Sequence, residues 1–147
     1  MSEIKVINTS KAPAVFGPFS QGVKTESLVF TTGQLPIDPA TGKIVSDDVQ
    51  EQTRQVLLNL KAILEEAGCS LDRILKATVF LTSMDDFTKV NEVYAGFFSD
   101  KPPARSCVEV SGLAMGAKVE IEAIALLAYI GFLRLSTRRM YFRTVAR

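Results

Sequence analysis

Between residues 47 and 67 the apolar positions Val49, Val56, Leu57, Leu60, Ile63 and Leu64 recur at the spacing that lines one face of a helix. Ser46 or Asp47 supplies an N-cap and Gly68 a C-terminal stop, so this segment is predicted to be an amphipathic helix. Elsewhere the apolar runs are short and bounded by turn residues, which predicts strands. A short first strand lies around Ile4 and Val6, and a loop punctuated by proline and glycine follows over residues 12–19. Residues 28–32 make the next strand, ending at Gly33. Asp38, Pro39, Ala40, Thr41 and Gly42 then turn the chain toward Ile44 and Val45, as in a hairpin with a longer loop. Residues 74–81 are rich in β-formers, and Asp85 and Asp86 open a second helix carrying Phe87, Val90, Tyr94, Phe97 and Phe98. Pro102 and Pro103 end that segment and force an extended entry into two last strands, centred on Cys107 and Ile121. The order βββαβαββ describes an α+β domain with two helices packed on one face of a single mixed sheet. The other face then requires water or a partner subunit.

The last two strands carry chemistry at alternate positions: Arg105, Cys107 and Glu109 in one, Lys118, Glu120 and Glu122 in the other. Charges at period two inside strands point to a sheet face that serves something besides the core. Pairing the two strands antiparallel across the glycine-containing link of residues 111–116 sets Cys107 against Glu120. It also opposes Arg105 to Glu122 and Glu109 to Lys118, two opposite-charge pairs that favour this register. On residue types alone, Arg105 and Glu122 also fit a surface ion pair of little energetic worth, Cys107 a small strand hydrophobe and Glu120 a solvated carboxylate.

A chain of 147 residues, 47% hydrophobic and 22% charged, is sized for one domain with a core of its own. Its formal charge of +1 is unevenly spread. Residues 1–127 hold 12 Lys and Arg against 16 Asp and Glu, about −4, while residues 128–147 hold five Arg and no acid. An acidic body argues against a nucleic-acid surface on the main domain. The absence of histidine removes Ser-His and Cys-His catalysis and zinc sites of the usual kind. Cys69 falls at a helix end and Cys107 in a strand, a pattern that speaks against a disulfide framework and for a reducing compartment. The first seven residues lack the order of a signal peptide, and the apolar run over residues 123–133 falls short of the roughly 20 residues a membrane span needs. A cytoplasmic protein without membrane partners is expected. The domain proper is read as 1–127 and an atypical basic and aromatic extension as 128–147. That extension, with Tyr129, Phe132, Tyr141 and Phe142 among arginines, fits either an irregular appendage or a tail for anions or a membrane surface.

Several separated motifs in order carry a resemblance: Gly17-Pro18-Phe19-Ser20-Gln21-Gly22, then Thr32-Gly33-Gln34, then Pro103-Ala104-Arg105-Ser106-Cys107-Val108, then Val119-Glu120-Ile121-Glu122. Over roughly residues 3–127 the chain resembles the RidA (YjgF) family of enamine/imine deaminases. The resemblance implies a chorismate-mutase-like α+β fold assembled as a homotrimer, with ligand clefts between neighbouring subunits. It also implies hydrolysis of reactive 2-imino acids such as 2-iminopropanoate, and of their 2-aminoacrylate-type enamine tautomers, to 2-keto acids and ammonia, with no cofactor and no metal. Arg105 would hold the substrate carboxylate, for which a planar guanidinium fork is suited, and Glu120 would orient or activate the attacking water. Main-chain groups near Gly33 and at Cys107 would contact substrate, with Asn91 near the cleft and the Phe19 ring packing on the ligand. Phe19 is a departure, since that loop commonly reads Gly-Pro-Tyr, and a hydroxyl is lost. Two other classes stay open: a non-catalytic ligand-binding or regulatory trimer, and a thiol activity centred on Cys107, which requires a depressed thiol pKa.

Overall fold

A computed structural model describes residues 3–98 and 100–127. The boundary expected at residue 128, and both readings of the segment beyond it, lie outside the described residues.

Among the described residues eight strands and two α-helices run in the order β1 (Lys5–Ile7), β2 (Gly22–Lys24), β3 (Leu28–Thr31), β4 (Ile37–Asp38), β5 (Lys43–Ile44), α1 (Val49–Glu66), β6 (Ile74–Leu81), α2 (Phe87–Ala95), β7 (Ala104–Glu109) and β8 (Val119–Leu126). Six of the strands form one mixed sheet in the order β1-β2-β3-β8-β6-β7, in which only β6 and β7 are parallel. The class expected from the sequence, α+β with both helices on one sheet, is the one observed.

Three differences have physical causes. First, β4 and β5 pair only with each other: Asp38 caps its own turn, its carboxylate accepting from the Ala40 N–H (2.9 Å) and its carbonyl from Gly42 (2.8 Å). The expected return of residues 44–45 to the strand at 28–32 therefore does not occur. The antiparallel neighbour of β3 on that side is instead β2, a three-residue strand too short to announce itself by periodicity. Second, the N-cap of α1 is Asp48, whose side chain accepts from the Glu51 N–H at 2.9 Å, while Ser46 accepts from Asp48 (3.1 Å). The far end is as expected: Gly68, at φ +84°, closes the helix with Gly68 N–H to Glu65 O (3.0 Å) and Cys69 N–H to Leu64 O (2.8 Å).

Third, β7 and β8 do not pair with each other. Buried β6 offers two edges and takes β7 on one and β8 on the other. At its end the Leu81 carbonyl accepts from Val110 (2.8 Å) and the Thr82 N–H donates to Lys118 (3.1 Å). The link between β7 and β8 steps over a whole strand, a gap of roughly 10 Å, with Met115 (φ 58°) and Gly116 (φ 71°) making the turn. So Arg105 stands beside Ala77 rather than Glu122, and Cys107 beside Val79 rather than Glu120. Glu109 accepts instead from the Met84 N–H (2.7 Å), and Lys118 pairs with Asp47 (3.0 Å).

The core lies between the sheet and α1, where Val56, Leu57, Leu60, Ile63 and Leu64 meet Val29, Val79, Leu81, Val119, Ile121 and Ala125, all fully buried. Alternation along β8 turns Glu120, Glu122 and Ile124 to the opposite face. Among the described residues that face has no helix over it, and Phe30 (38% exposed) and Val108 (43%) lie on it.

Candidate functional site

Glu120 is set by two neighbours. The Gln34 N–H donates to Ile121 O at 2.8 Å and Ile121 returns the bond at 3.2 Å, which lays the segment 33–34 along β8. Gly33 then sits against the Glu120 carboxyl group. A β-carbon at position 33 would overlap its Oε1 and come within 2.8 Å of Cδ, so the close approach requires glycine. Beyond them opens a cavity of about 270 Å³ whose walls include Val15, Phe16, Phe19, Leu35, Ile37 and Ala114. Burial pushes the Glu120 carboxyl above the usual carboxylate range, and the charge of Glu122, two residues along the same face, adds to the rise.

The aromatic wall is held from below. Gln21, buried, donates from Nε2 to the carbonyls of Thr9 (2.9 Å) and Pro13 (2.8 Å) and accepts from the Thr9 N–H at 2.7 Å, pinning the loop that leads to Phe16. Phe16 and Phe19 meet edge to face at 5.6 Å, and the Phe19 ring lies so close over Gly17 that a side chain there would strike it. On the floor, Asn59 of α1 donates to the carbonyls of Leu35 (3.0 Å) and Ile37 (2.9 Å), fixing the segment that joins Gly33 to β4.

Arg105 belongs to a second cleft, of about 420 Å³, with Asn91, Tyr94, Phe98 and Pro103. Its side chain lies on the helix side of edge strand β7, the guanidinium carbon 4.7 Å from the Tyr94 ring centre and 5.7 Å from that of Phe87. Cys107, two residues on, faces the same way beside Val79 and is half-buried. Burial pushes its thiol up and the charge of Arg105 pulls less strongly the other way, a net shift opposite to the depressed pKa that a thiol activity requires. As the last strand of the sheet, β7 leaves its outer row of N–H and C=O groups without a partner among the described residues.

The six residues singled out by sequence therefore fall into two groups. Glu120, Gly33 and Phe19 share one cavity; Arg105, Asn91 and Cys107 gather at the other edge, and the sheet separates the two sets within one chain. The sequence reading missed the aromatic bed under Arg105. By pattern Phe87 and Tyr94 read only as apolar helix positions, although Asn91 between them, at i, i+4, i+7 spacing, marks a stripe that is not simply core.

Comparison with known proteins gives the chain its family. The family model for Endoribonuclease L-PSP matches residues 9–127. A RutC family protein of Pyrococcus horikoshii is 54% identical over 121 residues, spanning 82% of this chain and 96% of that protein. The 2-iminobutanoate/2-iminopropanoate deaminase of Mus musculus is 46% identical over 121 residues, spanning 82% of this chain and 90% of the other. Among solved structures, E. coli TdcF with bound serine superposes with a TM-score of 0.81 at 49% identity, covering 84% of this chain and 99% of that one. With its chorismate-mutase-like fold, the chain belongs to the Endoribonuclease L-PSP family, the family of the RidA and YjgF proteins.

Proposed function

We propose that the protein is a hydrolytic deaminase of reactive 2-imino acids and their enamine tautomers, acting as a homotrimer whose sites form between subunits. The observation that carries this reading is the half-buried carboxyl of Glu120, raised in pKa and set over Gly33 in an apolar cavity. It occurs in a chain 46% identical to mammalian 2-iminobutanoate/2-iminopropanoate deaminases. A base whose pKa moves toward neutrality accepts a proton more effectively at working pH. Glu120 takes a proton from water as the oxygen bonds to C2 of the protonated imine, whose C=N electron pair passes to nitrogen, giving a neutral carbinolamine. It returns that proton to nitrogen, and as the C2–N bond breaks the carbinolamine hydroxyl gives up its own proton, so that the 2-keto acid remains and the nitrogen departs as ammonium. The enamine tautomer is first protonated at C3. The apolar walls beside Glu120 receive the substrate's alkyl group, and the Arg105 fork grips its carboxylate with two parallel hydrogen bonds. Since one chain holds the two groups on opposite sides of its sheet, the reading requires Arg105 of one subunit to meet Glu120 of another. The exposed apolar positions on the uncovered face favour such a contact with a second copy. A cytoplasmic setting, where amino-acid dehydratases release such imines, completes the proposal.

The family model bears an endoribonuclease's name, but an excess of acid over base in residues 1–127 disfavours phosphate binding there. A non-catalytic carboxylate-binding trimer is the second reading, favoured by Phe19, which lacks the hydroxyl usual at that position. One assay separates them. Added to a pyridoxal-phosphate-dependent serine or threonine dehydratase, the wild-type chain is expected to speed keto-acid appearance, whereas Arg105→Ala and Glu120→Gln do not. No acceleration by the wild type, with 2-oxobutanoate still bound, would establish the binding reading instead.

A further inference from the structure

Arg105 has none of the restraints usual for a functional arginine. Among the described residues it forms no ion pair, since the three salt bridges all involve lysines. It sits near the start of an edge strand, half-exposed, directly after two prolines and an alanine. A carboxylate neighbour would hold it, but would also occupy the fork that a substrate carboxylate needs. What meets it instead is the aromatic pair on α2. Phe87 and Tyr94, seven residues apart, face β7 from the first and last turns of the helix, and Asn91 between them lines the same cleft. An aromatic face attracts a guanidinium through its quadrupole and leaves the in-plane N–H groups free.

Tyr94 is itself immobilised: 6% exposed and stacked on Phe98 at 4.5 Å. Its hydroxyl is buried with no hydrogen-bond partner among the described residues, and burial pushes its pKa up to about 12, against the pull of Arg105. The contact that Tyr94 offers Arg105 is its ring face, whose centre lies 4.7 Å from the guanidinium carbon.

We propose that Tyr94, assisted by Phe87, is a positioning residue that fixes the plane of the Arg105 guanidinium and presents its fork, still unpaired, to a substrate carboxylate. This rests on the carboxylate-gripping role given to Arg105 above. The chemistry follows from electrostatics and entropy: the long arginine side chain is ordered before substrate arrives, so less freedom is lost on binding.

The test uses the full chain, with 2-oxobutanoate binding by calorimetry and KM and kcat for imine hydrolysis. Tyr94→Leu, which keeps apolar bulk but removes the ring, is expected to raise the Kd and KM about three- to tenfold, with kcat changed far less. Tyr94→Phe, which restores the ring, is expected to recover most of that loss. In an Arg105→Lys background, where no planar fork remains, the Tyr94→Leu effect should largely vanish. Should Tyr94→Leu fail to fold, Phe87→Leu reads the same contact with a smaller rise, about twofold. Unchanged Kd in the folded leucine variant, a fall confined to kcat and Tm, or a full effect persisting beside Arg105→Lys would each overturn the proposal. A wild-type chain that neither binds 2-oxobutanoate nor turns over the imine would overturn the parent reading and this one with it.

Discussion

At the residue scale, the chemistry turns on how far Glu120 departs from an ordinary glutamate, whose pKa is about 4.3. Burial in the apolar cavity is the larger cause and the Glu122 charge the smaller. Because the reaction uses the deprotonated form, activity should rise with pH through a midpoint above that ordinary value. Glu122→Gln removes the smaller cause, so the acid limb of the kcat profile is expected to move to lower pH without disappearing; a limb that stays in place would show that Glu122 does not act on it. Stability runs the other way. The folded chain keeps a proton that the unfolded chain has already released, so Glu120 lowers stability as pH climbs from about 4.3 toward the raised value.

At the scale of elements, α1 does more than fill the core. Gln52, buried, donates to Ser46 O at 2.8 Å and accepts from the Lys118 N–H at 2.8 Å, while Asn59 holds the carbonyls of Leu35 and Ile37. Asn59→Leu would strand two buried carbonyls, and a loss of about 2 to 4 kcal/mol in urea unfolding is expected, with a rise in KM as the cavity wall loosens; unchanged stability would remove Asn59 from that role. Such polar anchors are invisible to a hydrophobic pattern, which reads α1 by its apolar face alone. The same limit explains what sequence conveyed of the fold. Both helices and the strands at 74–81, 104–109 and 119–126 could be read from period and bounding residues, because those signals are local. Strand partners could not: charge complementarity favoured a hairpin between β7 and β8, yet burying both edges of β6 outweighs two exposed ion pairs of small worth. For the candidate site, Arg105 and Glu120 stood out through the motifs around them. The aromatic bed of Arg105 was hidden, since a phenylalanine and a tyrosine on a helix read equally well as core.

For the whole molecule, the division of the candidate residues between two faces has a direct consequence for mixed assemblies. If each site draws Arg105 from one subunit and Glu120 from its neighbour, chains carrying Arg105→Ala and chains carrying Glu120→Gln complete each other. Refolding the two inactive variants together at equal amounts should restore about a quarter of wild-type sites by random assortment, measured as keto-acid formation. Activity no higher than in either parent would show that the groups do not meet across subunits.

The position of β8 also bears on how the molecule is made. It is the last strand of the described chain, yet it lies between β3 and β6, pairing Phe30 with Ile124 and Thr78 with Glu122. A nascent chain emerging from the ribosome thus displays two unfinished half-sheets, each with a bare inner edge, until the final segment arrives to join them. Synthesis that stalls before residue 119 leaves one chain with two sticky half-sheets rather than a smaller version of the protein.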